Sequence, residues 1–272
     1  MHNIKPLKRL GQNFLVDKGI VREIISAAEI KPGDIVLEIG PGLGALTKKL
    51  AKRAGKVIAV EKDPRMCEIL QENLKDFKNI EIVQGDILKL DPKPEVKPRQ
   101  PRVLKSSFKI VANLPFYITA PVIRKFLEAK NPPKEMVLIV QKEVAQRICA
   151  KPPRMNLLAI SVQFYARPEI IAYVSKKAFW PQPKVDAAII KITPHNKSLT
   201  PDQNPRLSRL NLGFSTSGVK LFFKIVRAGF SHPRKQLVNN LPKELGSFLP
   251  DPKKRAENLT INDWLKLTKV LK

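Results

Sequence analysis

Cysteine and histidine are scarce in this chain of 272 residues: Cys67 and Cys149 are the only thiols, and there are three histidines. With no C-x-x-C pair and no Cys/His cluster at ligand spacing, neither a disulfide framework nor a zinc site is expected. No metal is therefore assigned. No run of 18 apolar residues occurs, and the start, "MHNIKPLKRLGQNFL", lacks the apolar core of a secretory signal, so no membrane segment and a cytoplasmic location are expected. Acidic residues are also few, 24 Asp and Glu against 50 Lys and Arg. The resulting charge of +26 and pI near 10.2 point to a polyanionic partner gripped through its phosphates, nucleic acid being the default. The excess is not confined to a tail, since residues 1–195 hold 35 basic and 19 acidic side chains and 196–272 hold 15 and 5.

What the chain does have is a 43% hydrophobic content, enough for a sizeable core, arranged in alternating patterns. Strands are predicted at "DIVLEIG" (34–40), "KVIAVE" (56–61), "IEIV" (80–83), "KIVAN" (109–113) and "EMVLIVQ" (135–141). Helices are predicted at 46–54 and at 64–74, where Pro64 suits a helix start because its missing N–H costs nothing there. Short β-branched runs separated by amphipathic stretches imply a mostly parallel, doubly wound α/β sheet. Three later runs at 159–166, 169–174 and 187–192 lie too close together for intervening helices, which predicts an antiparallel edge. Residues 89–107 are Pro-rich, basic and aperiodic, as in an exposed loop. A polar, turn-rich break at 193–218 divides a domain spanning 1–195 from a small all-helical one spanning 196–272, with helices predicted at 219–230, 234–245 and 260–271. Thr260 and Asp263 stand at capping-box spacing at the start of the last.

Between the first strand and the first helix lies "EIGPGLGA". As G-x-G-x-x-A it satisfies the dinucleotide fingerprint, and Glu61, at the end of the second strand, is placed to grip ribose hydroxyls. As E-x-G-x-G-x-G it suits S-adenosylmethionine, for which Gly40 and its neighbours allow close backbone approach. The third strand favours the second reading. Asp86, in "GDIL", sets another carboxylate at the same sheet edge, where it can accept from an adenine amine. Acids at two successive strand ends suit an adenosyl cofactor without pyrophosphate.

The fourth strand ends in "NLPFYIT" (113–119). An exocyclic adenine amine is a poor nucleophile because its lone pair is delocalised into the ring. Acceptors on Asn113 and the Leu114 carbonyl could draw its two N–H groups out of conjugation and aim the lone pair at a sulfonium methyl. Pro115 stiffens the turn. Phe116 or Tyr117 offers a ring on which an extruded base stacks, worth roughly 1–3 kcal/mol per base.

These motifs, together with "LGQNFLVD" (10–17), "VEKD" (60–63), "QKEVAQRI" (141–148), "FWPQPKVDAAIIKI" (179–192) and "FFKIVRAGFSHPRKQLVNNL" (222–241), closely resemble the small-subunit ribosomal RNA adenine dimethyltransferases, the kasugamycin-resistance methyltransferase group. The resemblance implies a Rossmann-like class I methyltransferase domain that uses S-adenosylmethionine, followed by a helical RNA-binding domain. It also implies dimethylation of two adjacent adenosines near the 3′ end of 16S rRNA in the immature small subunit; separately, nothing in the sequence demands more than a monomer. Carried over residue by residue, Asn13 and Leu15 close over the cofactor, Gly40 meets its methionine part, Glu61 its ribose and Asp86 its adenine. Asn113 lines the point of methyl transfer, Phe116 stacks on the target base and Phe179 flanks it. The chain departs from the family pattern in its short stretch 150–160 with Pro152 and Pro153, in having Phe116 where Tyr is frequent, and in the inserts around 91–105 and 196–218. Three alternatives stay open: the related macrolide-resistance enzymes acting on the large subunit, a non-catalytic assembly factor on the same fold, and, most weakly, a nicotinamide-dependent dehydrogenase.

Overall fold

The computed structural model describes residues 5–90, 107–195, 216–249, 251 and 253–270. The basic insert 91–105 and most of 196–218 lie outside that set. Contacts divide the described chain into two units, one of residues up to Gln146 with Ala166–Pro194, the other of Arg147–Tyr165 with the residues from His195 onward. The stretch 147–165 thus joins the second unit, although it precedes the last two long strands in sequence.

In the first unit, β1 (Phe14–Leu15) is followed by α1 (Lys18–Ala27), β2 (Ile35–Ile39), α2 (Ala45–Ala51), β3 (Lys56–Glu61), α3 (Pro64–Asn73) and β4 (Ile80–Gln84). Then come β5 (Phe108–Asn113), α4 (Thr119–Leu127), β6 (Glu135–Gln141) and α5 (Lys142–Ile148), the last crossing the division between units. After α6 (Leu157–Gln163) of the second unit, β7 (Ala166–Val174), β8 (Phe179–Trp180) and β9 (Ala187–Pro194) complete the strands. Seven strands form one sheet in the order β4-β3-β2-β5-β6-β9-β7. The pairings from β4 through β6 are parallel, and β9 runs antiparallel to both β6 and β7. This is the Rossmann-like class I methyltransferase architecture. β5 and β6 are apolar nearly throughout because parallel strands are covered on both faces.

The strand order reverses at β2, which has β3 on one side and β5 on the other. Loops leaving two neighbouring strands for opposite faces open a crevice at their carboxyl ends, and both the glycine loop after β2 and "NLPF" after β5 leave there.

Two predicted elements are corrected. Residues 159–166 are not a strand. Asn156 caps α6 by accepting from the Ala159 N–H at 3.0 Å, and Ala159 and Ile160 are buried in the core of the second unit, so packing overrides the β-branched pattern. The stretch 234–245 is not an α-helix. It forms 3₁₀ turns at Leu237–Asn239 and Lys243–Phe248, interrupted at Pro242, which has no N–H to continue a helix. The Asn240 amide secures the arrangement by donating to the carbonyls of Gly229 and His232 at 2.8 and 3.0 Å.

The second unit is built on α7 (Thr216–Gly229) and α8 (Ile261–Val270). Trp264 of α8, completely buried, packs where α7 ends in Gly229; a Cβ there would meet the indole at 2.3 Å. The expected Thr260/Asp263 cap is formed, with the Asp263 N–H donating to Thr260 Oγ1 and the Thr260 N–H to Asp263 Oδ2.

At the amino-terminal edge of the sheet, opposite the crevice, Lys109 of β5 is almost wholly buried. Its ammonium lies 2.8 Å from Glu135 and 3.3 Å from Asp34, and donates to the α1-end carbonyls of Ala28 and Glu29 at 2.9 Å each. This pins the first helix to the sheet. Replacing it by methionine strands buried carboxylates and free helix-end carbonyls. Lys109→Met is therefore expected to lower stability by on the order of 3 kcal/mol in urea denaturation, whereas Arg124→Met, which breaks an exposed ion pair, should cost under about 1 kcal/mol.

Candidate active site

The crevice is lined from four directions: the N-terminal segment, the glycine loop, the ends of β3 and β4, and "NLPFYI". The glycine loop leaves β2 with Gly40, Gly42 and Gly44 all at positive φ, between 55° and 81°. Gly40 is tied to β3 by its N–H, which donates to the Val60 carbonyl at 2.9 Å. Gly42 is held tighter still. A Cβ there would fall 2.8 Å from the Phe14 ring, so the absence of a side chain admits the N-terminal segment as well as any ligand.

Glu61 ends β3 as a nearly buried carboxylate. It accepts from the backbone N–H groups of Lys62 (2.8 Å), Asp63 (2.9 Å) and Gly42 (3.3 Å). Burial still pushes its pKa up against those bonds, with the Asp63 charge adding to the rise. Asp86, in the turn after β4, accepts from the Leu88 N–H at 3.0 Å and pairs with Lys62 Nζ at 2.9 Å. The Lys62 ammonium holds its carboxyl below the usual range, partial burial opposing. Lys125 of α4 donates to the carbonyls of Leu88 and Leu90, fixing the turn that carries Asp86.

The cover comes from the "GQNFL" stretch. β1 pairs antiparallel with β8, Phe14 opposite Trp180 and Leu15 opposite Phe179. Gln12 donates to Asp63 Oδ2 at 2.9 Å while its own amide oxygen accepts from the Leu7 N–H at 2.7 Å. Asn113 Nδ2 donates to the Asn13 carbonyl at 2.9 Å. That bond settles the amide orientation, leaving Oδ1 as the acceptor.

A family profile described as "Ribosomal RNA adenine dimethylase" matches residues 2–272. The chain belongs to this family. Among curated relatives, "Ribosomal RNA small subunit methyltransferase A" of Dehalococcoides mccartyi (strain CBDB1) is 43% identical over 277 residues, spanning 98% of this chain and 88% of the relative. The protein of the same description from Clostridioides difficile (strain 630) is 38% identical over 283 residues, spanning 99% and 92%. Among solved structures, a dimethyladenosine transferase from Plasmodium falciparum superposes with TM-score 0.73 at 29% identity, covering 93% of this chain and 95% of that one. The 23S rRNA methyltransferase ErmE gives the same TM-score at 26% identity, covering 95% and 99%. This rRNA adenine dimethylase family member is accordingly a methyltransferase.

Of the residues singled out from sequence, Asn13, Leu15, Gly40, Glu61, Asp86, Asn113, Leu114, Pro115 and Phe116 all line the one crevice. Phe179 does not. It is 3% exposed and belongs to the hydrophobic cluster against which Phe116 packs, so it serves the core. The exposed rings here are Tyr117, at the crevice, and Trp180, stacked on Phe14 with centroids 6.0 Å apart.

Two contributors were missed. Gln12 stood in the quoted motif without a role, and its bridge to Asp63 is visible only in three dimensions. Glu38 opened the E-x-G-x-G motif without one either. It is 1% exposed, faces the crevice and leaves Oε2 without a hydrogen-bond partner. Burial lifts its pKa to about 8; the Glu61 charge pushes the same way, and the nearby Thr47 hydroxyl opposes without completing a hydrogen bond. A carboxyl raised above its ordinary 4.5 keeps its proton in the folded state while the unfolded chain loses it. Its contribution to stability is therefore fully present below pH 4.5, falls as pH rises, and levels off above about 8. Glu38→Gln should flatten most of that decline, on the order of a few kcal/mol, in denaturation curves taken across the range, with a residual slope from Glu61.

Proposed function

We propose that this protein transfers methyl groups from S-adenosylmethionine to the exocyclic amines of two adjacent adenosines near the 3′ end of 16S rRNA, in an immature small subunit in the cytoplasm. The observation that carries the reading is an acid-lined crevice at the sheet's switch point, rimmed by "NLPF". Glu61 and Asp86 line it and Lys62 is the lysine beside them, so a pyrophosphate would meet two carboxylates where it needs donors. A cofactor carrying a sulfonium and an ammonium fits that field. Glu38, which keeps its proton up to about pH 8 in the folded chain, has a partnerless Oε2 that an ammonium would engage as that proton leaves. Such a cofactor supplies an electrophilic methyl group.

Within this reading Glu61 offers its remaining lone pairs to ribose hydroxyls, Asp86 accepts from the adenine amine, and Gly40 lets the methionine portion approach the backbone. Asn13 and Leu15 cover the bound molecule. Asn113 Oδ1 and the Leu114 carbonyl accept from the target amine, so its lone pair is turned toward the methyl group. Pro115 holds the turn, and Phe116, packed against the hydrophobic core that contains Phe179, provides a ring for the extruded base. Loss of a proton from the alkylated nitrogen needs no strong base, because the amine becomes acidic once it gains the methyl group. No metal is invoked, and a monomer suffices.

Relatives described as acting on the small subunit, at 38–43% identity, support that subunit over the large one. The charge of +26 supports docking on phosphates, with affinity that falls as salt rises. Among the described residues no helix is long and apolar enough to cross a membrane.

Incubation with S-adenosylmethionine and undermethylated small subunits, followed by nucleoside mass spectrometry of 16S rRNA, should yield N(6),N(6)-dimethyladenosine. Asn113→Ala should reduce its formation by about a hundredfold or more. Particle binding without product would replace the enzyme with an assembly factor. In calorimetric titration, Asp86→Ala should weaken S-adenosylmethionine binding by about tenfold or more, the loss of a hydrogen bond to a charged group; unchanged affinity would remove Asp86 from the cofactor site.

A further inference from the structure

We propose that Tyr173 and Lys142 form a stacking and phosphate-binding platform for a nucleotide that flanks the target on a single-stranded stretch of RNA. The inference rests on the RNA-substrate reading above and adds a surface outside the crevice. Tyr173 lies near the carboxyl end of the edge strand β7, with its side chain 55% exposed in a protein in which aromatics make up 6% of residues. Past the bulge between Ile170 and Ala172, Ala172 and Val174 turn to the face of the hydrophobic core opposite Ile189 and Ala187, while Tyr173 stands on the other face opposite Ala188 and is left largely to solvent. Lys142, the first residue after β6, places its ammonium 5.1 Å from the centroid of the Tyr173 ring. Its backbone is pinned by an N–H donated to the Asp186 carbonyl at 3.0 Å.

The sheet order puts this pair on the functional edge. Asn113 sits opposite Ile139 at the end of β6, Gln141 opposite Ala187, and Ala187 opposite Val174, one residue beyond Tyr173. Three strand spacings separate Asn113 from β7, about 15 Å along the edge. That is within reach of nucleotides close to one held at Asn113. The connection from β7 to β9 adds the exposed Lys177 and Lys184, while its Asp186 carboxylate is engaged by the Lys176 N–H at 3.0 Å. An exposed ring with an ammonium over it matches the two things single-stranded RNA presents, a π-face and a phosphate.

The test measures anisotropy of a labelled single-stranded oligoribonucleotide containing two adjacent adenosines, across a salt series. Tyr173→Leu should weaken binding by roughly five- to a hundredfold with the salt slope unchanged, as loss of one stacked base requires. Tyr173→Phe, which keeps the ring, should bind as the wild type does. Lys142→Met should lower the magnitude of the salt slope by about 0.7, one phosphate's worth for a single strand. Both Tyr173→Leu and Lys142→Met should retain the wild-type affinity for S-adenosylhomocysteine, which reports an intact crevice. Wild type that binds the oligonucleotide, with Tyr173→Leu equal to it, overturns the platform and leaves the RNA-substrate reading standing. An effect seen only on assembled subunits and never on the oligonucleotide assigns the surface to a ribosomal protein and also overturns it. Wild type that binds neither RNA nor subunits removes the reading on which the platform rests.

Discussion

One buried carboxylate organises the site. Glu61 ends β3 with little access to solvent, and a charge in that position is tolerated only if donors surround it. Those donors are backbone N–H groups from two separate segments, Gly42 of the glycine loop and Lys62 with Asp63 of the next turn. The same oxygens therefore stitch the loop after β2 to the loop after β3. They fix the spacing between these two segments along one wall of the crevice. Asp63, positioned by this turn, carries the next links: it caps α3 through the Arg65 N–H and receives Gln12 from the N-terminal segment.

The cover is built into this arrangement rather than added to it. Phe14 rests on Gly42 where a side chain would clash, Gln12 reaches Asp63, and the Asn13 carbonyl takes the Asn113 amide hydrogen. Asn113 is thus oriented by the cover, which couples the ordering of residues 12–15 to the presentation of Oδ1. A carboxylate in place of Asn113 could donate no such hydrogen bond when ionised, and it would lose that orientation. The acid-rich lining and the neutral amide at the rim make chemical sense together. In the proposed reading the carboxylates of Glu61 and Asp86 surround a cationic cofactor, and Asn113 accepts from the target amine without competing for a proton.

Much of this was legible in the residues. Alternating apolar runs marked the parallel sheet, and an acid just past each of two strands marked one edge of it, because a strand that ends in a carboxylate has only its polar end available for a ligand. The pattern failed where local and tertiary preferences disagree. The run 159–166 reads as a strand on its β-branched content, yet Asn156 starts a helix and Ile160 finds its neighbours in the second unit. Aromatic placement was not legible: Phe179 is spent on the core and Trp180, its neighbour, is exposed, since side chains alternate along a strand and only the pairing with β1 decides which of the two faces inward.

By itself the sequence determined the class of fold, the edge of the sheet at which the crevice opens, and the set of groups that line it, because these depend on local periodicity and on which residue follows which strand. Tertiary structure alone decided how those groups are used. The Gln12 bridge, the Asn113 orientation, the partnerless Glu38 oxygen and the Lys142 ammonium over Tyr173 each depend on segments distant in sequence being brought within a few ångströms. Hydrogen bonds and burial act over such distances, and spacing along a chain does not report them.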